Sequence, residues 1–191
     1  MFAKLVQKNR SYRRFDETYR VRIQDLESLI DLARQCPSAA NLQPLKYILS
    51  VDPGMNRQIF DTLSWAAYLK DWDGPLSGER PTAYIIMLRD KGIRKVMEFD
   101  QGIAAQTIML GAVEVNLGGC LIASYNRQAL HTLLSIPETM ESLIVIALGK
   151  PVETVVIDLI ENGDVKYWRD SEAVHHVPKR SLEELIFRSI K

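Results

Sequence analysis

Residues 98–117 constrain the fold more than any other part of the chain. Apolar side chains fall on nearly every side of a helix drawn through them, and such a helix belongs in the middle of a fold or at an interface. The apolar core of this segment is broken by Gln106, Glu114 and Asn116. It is too short and too polar for the ~20 residues that a bilayer span requires. Gly111, inside the helix, costs about 1 kcal/mol relative to alanine, and close packing against another backbone is the usual reason for such a residue.

Around this helix the pattern alternates. Leu26, Leu29, Ile30 and Ala33 mark one face of an amphipathic helix over 24–35, stopped by Pro37. Residues 46–51 read as a strand ended by Asp52-Pro53-Gly54, and 56–68 as a helix. Residues 71–81 form a breaker-rich loop, long enough to be a candidate lid. The continuous apolar runs 83–88 and 143–148 read as buried strands. Gly118-Gly119 ends the long helix before a short strand at 120–124. A hairpin over 155–168 would turn at Asn162-Gly163, and a last helix over 181–190 opens on a Ser181/Glu184 capping box. This order predicts a layered α/β or α+β sandwich in one domain over 1–191. The Gly-x-Gly-x-x-Gly opening of a dinucleotide-binding unit is missing, as is a P-loop.

Lys+Arg and Asp+Glu balance at 24 each, which argues against a dedicated nucleic-acid binder but leaves room for a local basic pocket. With 47% hydrophobic and 25% charged residues, disorder is a poor reading. The amphipathic start lacks a signal-peptide core, so a cytoplasmic protein is expected, with no membrane association. Cys36 and Cys120 read as small core hydrophobes rather than a disulfide framework.

Few segments carry chemistry. Residues 9–15 gather Arg10, Ser11, Arg13 and Arg14, whose guanidinium forks and hydroxyl suit phosphate oxygens; a solvated basic surface is the bland alternative. Residues 36–45 hold Ser38, Asn41 and Gln43 between Pro37 and Pro44. They form either a loop that reads the edge of a planar heterocycle or a capped helix end with a turn. Lys179 and Arg180 precede the last helix, where free backbone N–H groups already attract anions. His175 and His176 lack companions at ligand spacing and would face opposite sides of a strand, so no metal site is expected. Asp100 reads as an acid at a helix N-terminus, and no Gly-x-Ser-x-Gly nucleophile elbow is present.

Taken in order, these segments resemble the nitroreductase family of FMN-dependent NAD(P)H oxidoreductases. The resemblance rests on Arg10-Ser11-Tyr12-Arg13-Arg14-Phe15, on Pro37-Ser38-Ala39-Ala40-Asn41-Leu42-Gln43-Pro44, on Asp100 to Gln106 running to Asn116-Leu117-Gly118-Gly119, and on Lys179-Arg180. It implies an α+β fold, an α/β/α sandwich with a central mixed, mainly antiparallel sheet, assembled as an intertwined homodimer. It implies that Arg10, Ser11, Arg13, Lys179 and Arg180 clamp the FMN phosphate and ribityl chain. Pro37, Ser38, Ala39 and Asn41 would contact the flavin from the partner subunit, and the backbone of Ile122, Ala123 and Ser124 would pass its N5 edge. The implied cycle is ping-pong: NAD(P)H gives hydride to FMN, and a nitroaromatic, quinone or activated alkene takes the electrons, with no protein catalytic residue. The alternatives are a flavin-fragmenting or dehalogenating enzyme of the same fold and a non-catalytic flavin sensor or store. Asn9 and Leu45 depart from the pattern, standing where relatives carry arginine and tryptophan.

Overall fold

The computed structural model describes residues 2–96 and 99–191. Four antiparallel strands form the central sheet in the order β1 (Leu45–Ser50), β2 (Ala83–Asp90), β4 (Met140–Gly149) and β3 (Gly118–Ile122). Its middle strands are apolar on both faces because both faces are covered. Ala83, Ile85 and Met87 of β2 pack with Ile146 and Leu148 of β4 under α2 (Ile23–Ala33) and α4 (Asp100–Glu114). Tyr84, Ile86 and Leu88 pack with Val145 and Ala147 against α3 (Pro53–Phe60) and α5 (Arg127–Leu133). Side-chain alternation along each strand thus splits one run between two cores, giving the helix–sheet–helix sandwich. Among the described residues the remaining elements are α1 (Phe2–Lys8), a short 3-10 turn at Ala39–Asn41, a second sheet ordered β5 (Val155–Leu159), β7 (His175–Lys179), β6 (Trp168–Arg169), and α6 (Leu182–Leu185). No helix of the described residues is long and apolar enough to cross a membrane.

Glycines explain the close approaches. A Cβ on Gly111 would sit 2.8 Å from Leu32 Cδ1 and 2.9 Å from Leu29 Cδ2, so this glycine lets α2 press onto α4. Gly118 and Gly119 do not end α4, as the sequence suggests; Glu114 ends it and Asn116 supplies the left-handed turn at φ 59°. The glycines instead open β3. A Cβ on Gly119 would lie 2.1 Å from the Ala147 carbonyl oxygen, and one on Gly118 would meet Pro151 and Tyr12.

Three further expectations are corrected. The helix expected over 56–68 stops at Phe60, because the next residues extend alongside the end of β3: Leu63 bridges Tyr125, and Ser64 N–H donates to Ser124 O at 2.9 Å. Residues 155–168 are not a hairpin. Asn162 and Gly163 do turn with positive φ, but β5 pairs in parallel with β7, and β6 pairs with the opposite edge of β7. His176 of β7 fastens this sheet, stacked on Trp168 at 4.1 Å, with Nδ1 2.8 Å from Asp158 and Nε2 3.3 Å from Asp170. The last helix forms its Ser181/Glu184 capping box but ends at Leu185. None of its residues is buried, and a short helix without tertiary packing does not propagate. Cys120 is a core residue, whereas Cys36 is only half-buried, its Sγ 3.1 Å from Thr107 Oγ1.

Candidate functional site

The two basic chain segments meet. Residue 11 continues the central sheet beyond β3 through a parallel Ser11–Gly119 bridge, with Tyr12 N–H donating to Gly119 O at 2.9 Å. Phe15 is fully buried and bridges Pro151, which fixes the far end of the same segment. From the other side β7 brings His175, Val177 and Lys179 alongside. Between them lies a cavity of about 430 Å³ whose lining includes Asn9, Arg10, Ser11, Arg13, His175 and Lys179. That volume falls within the roughly 300–1,000 Å³ of ligand pockets.

Arg13 is held on several sides. Its backbone N–H donates to Glu153, its Nη1 lies 3.3 Å from both Ser11 O and His175 Nε2, and its guanidinium sits 4.9 Å over the Tyr167 ring. Burial, reinforced by the Arg13 and Arg169 guanidiniums, pushes the His175 imidazole down to about 4. The ring is therefore neutral at pH 7. With Nε2 accepting from Arg13, its proton belongs on Nδ1, a buried atom with no hydrogen-bond partner among the described residues. A cavity walled by guanidinium, ammonium and hydroxyl groups fits a phosphate ester.

Lys179 and Arg180 part ways. Lys179 lines the cavity, while Arg180 is half exposed and pairs with Glu184 at 3.1 Å, as alternation at a strand end dictates. Pro37 and Ser38 line a different cavity, about 240 Å³, which among the described residues shares no lining residue with the first. The Asp100 carboxylate, expected as a simple helix-end acid, is buried there and organises the loop: Ser38 Oγ–H donates to one of its oxygens and Ala39 N–H to the other. Burial opposes its ionisation, but these donors outweigh burial and hold the carboxyl below its usual range. The backbone is left-handed at Ala40 and Asn41, with φ 52° and 54°, and Asn41 is exposed. Ile122 closes β3 with a buried side chain, followed by exposed Ala123 and Ser124, and none of these lines the larger cavity.

Sequence reasoning passed over Glu153 and gave His175 no role. Glu153 sits in a short connection without any motif, and its importance comes from burial, which spacing does not report. The strand alternation that separates His175 from His176 was the available signal for the former. The loop at 71–81 is fastened rather than free-standing: Trp72 lies under Arg169 at 4.3 Å, and Glu79 takes a two-point bond from Arg14 at 2.8 and 2.6 Å.

Comparison with known proteins agrees with this architecture. Residues 6–150 match the model of the nitroreductase family. A protein of Archaeoglobus fulgidus, named as an NADH dehydrogenase/NAD(P)H nitroreductase, is 26% identical over 156 residues, covering 78% of this chain and 84% of its own. The chain's fold is similar to that of an FMN-dependent nitroreductase from Clostridium difficile R20291, with a TM-score of 0.63 at 21% identity, covering 88% of this chain and 92% of that one. It is also similar to a nitroreductase family protein from Clostridium novyi NT, with a TM-score of 0.64 at 21% identity, over 96% and 98% of the two chains. With the match to the family model covering most of its length, the chain belongs to the nitroreductase family of oxidoreductases.

Proposed function

We propose that the protein is an FMN-dependent NAD(P)H oxidoreductase that passes electrons to a nitroaromatic, a quinone or an activated alkene. The observation that carries this reading is the meeting of Arg10, Ser11 and Arg13 with Lys179 around one cavity, from opposite ends of the chain. Arg13 and Lys179 supply positive charge for the FMN phosphate, Ser11 a hydroxyl donor, and Arg180 the outer, solvent-facing member of the clamp. His175 stays neutral against Arg13 and accepts from its guanidinium, holding it without adding a charge. Glu153, through the Arg13 backbone N–H, keeps the clamp segment in place. When bound, FMN would supply the redox chemistry, taking hydride from NAD(P)H and giving electrons to the second substrate in a ping-pong cycle. The protein's part is binding, orientation and charge.

The pocket is completed by a second copy of the chain in this reading. Pro37, Ser38, Ala39 and Asn41 reach the partner's flavin, while Ile122, Ala123 and Ser124 pass their own. Support comes from apolar surface left uncovered in the single chain: Phe99 and Ile103 near the start of α4, and Phe187 and Ile190 after α6, are exposed. Equilibrium titration of FMN by its own fluorescence tests the assignment. Saturable binding by the wild-type chain that weakens in Arg13→Ala and Lys179→Ala supports it, and identical binding in all three discards it.

A further inference from the structure

A second basic cavity lies away from the clamp, between α3 and the residues leading into β2. We infer that it is a binding site for a small tetrahedral oxyanion such as phosphate, free or as the terminal group of an ester. Arg20, Arg57 and Arg80 converge on it, with Thr82 and Tyr84 in its wall. Neither the Arg20 nor the Arg57 guanidinium has a hydrogen-bond or ion-pair partner among the described residues. Thr82 is 4% exposed and Tyr84 0%, yet Thr82 Oγ1, Tyr84 Oη and Arg80 Nε are all buried without a hydrogen-bond partner among the described residues.

Buried polar atoms are nearly always satisfied, so three orphaned groups around one hollow call for an occupant. Each of the three carries a hydrogen to donate. Burial raises the Tyr84 phenol, which keeps that hydrogen in place at neutral pH. Glu17 is the one carboxylate in the lining among the described residues, and its Oε2 already accepts from Gly78 N–H at 2.5 Å and from Arg80 N–H at 3.4 Å. Guanidiniums in excess of carboxylates, beside three unsatisfied groups that can each donate, select an anion over a cation. Size narrows the class. The cavity measures about 50 Å³, enough for a few atoms where one water needs at least ~10–15 Å³, and too small for a ring system. Arg20 and Arg57 are exposed at the mouth, where an ester's remainder would lie in solvent.

Inorganic phosphate titrated at constant ionic strength, balanced with chloride and followed through the Arg80 Nε–H resonance, tests the site. Wild-type chain and Arg13→Ala should show the same saturable shift, while Arg57→Gln and Tyr84→Phe should each weaken it by tenfold or more. Arg57 is exposed, so its substitution leaves the fold intact even if Tyr84→Phe does not fold. An equal response to chloride, unchanged affinity in Arg57→Gln, or loss of the response in Arg13→Ala alone would overturn the assignment. The last result would move phosphate to the clamp. In a second arm, phenyl phosphate that competes with inorganic phosphate assigns the site to esters, and its exclusion assigns the site to the free oxyanion.

Discussion

The Arg169 guanidinium donates to the Glu153 carboxylate at 2.9 Å, a carboxylate with no solvent exposure. The same carboxylate accepts the backbone N–H of Arg13, and the same guanidinium lies 4.3 Å from the Trp72 ring centre. One buried ion pair therefore ties the clamp segment, the second sheet and the loop at 71–81. Removing one partner from such a pair strands the other charge. Glu153→Gln should lower stability by about 3–5 kcal/mol in urea denaturation. Glu153→Gln with Arg169→Met, which keeps an acceptor for Arg13 and removes the stranded charge, should recover much of that loss. Equal stabilities of the single and double variants would show that the pair does not act as a unit.

His175 gives the fold a pH dependence of known sign. Its folded value, about 4, lies below the unperturbed ~6.5, so the unfolded chain binds the proton first as pH falls. The stability it contributes is complete above pH ~6.5 and drains away towards pH 4, by about 3 kcal/mol in all. His131 is also lowered, chiefly by burial, and acts with the same sign. His176 acts with the opposite sign: the bonds to Asp158 and Asp170 outweigh its desolvation and raise it. Urea midpoints between pH 7 and pH 4 should therefore fall more steeply for wild type than for His175→Gln. Parallel profiles would remove His175 from the account.

Gly119 is a matter of space rather than of backbone conformation. Its missing Cβ would lie 2.1 Å from a backbone oxygen, which cannot swing aside as a side chain can. Gly119→Ala should cost about 1–3 kcal/mol or more, as overpacking does. Because Gly119 also carries the bridge to Ser11, FMN binding should weaken with it. A variant with wild-type thermal stability would contradict the close approach of β3 and β4.

Within the clamp the positions are unequal. Arg13→Ala should weaken FMN binding by roughly 1.5–3 kcal/mol, the range for a lost hydrogen bond to a charged group. Arg180→Ala should cost less, since Arg180 is half exposed and already paired with Glu184. Dissociation constants from fluorescence titration check the ranking, and a larger loss at Arg180 would reverse it.

What the sequence made legible follows from local physics. The runs 83–88 and 143–148 announced strands because both faces of the sheet are covered, and Gly111 announced a close contact on α4, although side chains of α2 make it rather than another backbone. The basic segments were visible in the residues, but their meeting came only as what the family resemblance implied, because pairing of β5 with β7 depends on partners distant in the chain. That long-range parallel pairing also defeated the hairpin reading, although the Asn162-Gly163 turn forms. The Ser181/Glu184 cap marked a helix start correctly and said nothing of its length, which packing sets. Glu153 carried no signal at all, since a buried acid in a connection looks like any surface acid until the fold surrounds it.

The central claim is that this chain holds FMN and reduces it with NAD(P)H. The absorbance spectrum of the purified protein, supplied with FMN and recorded anaerobically before and after NAD(P)H, tests it most directly. The account predicts a protein-bound flavin band that bleaches on adding NAD(P)H and returns when a quinone or nitroaromatic is added. A colourless protein that leaves added FMN free in solution would contradict it.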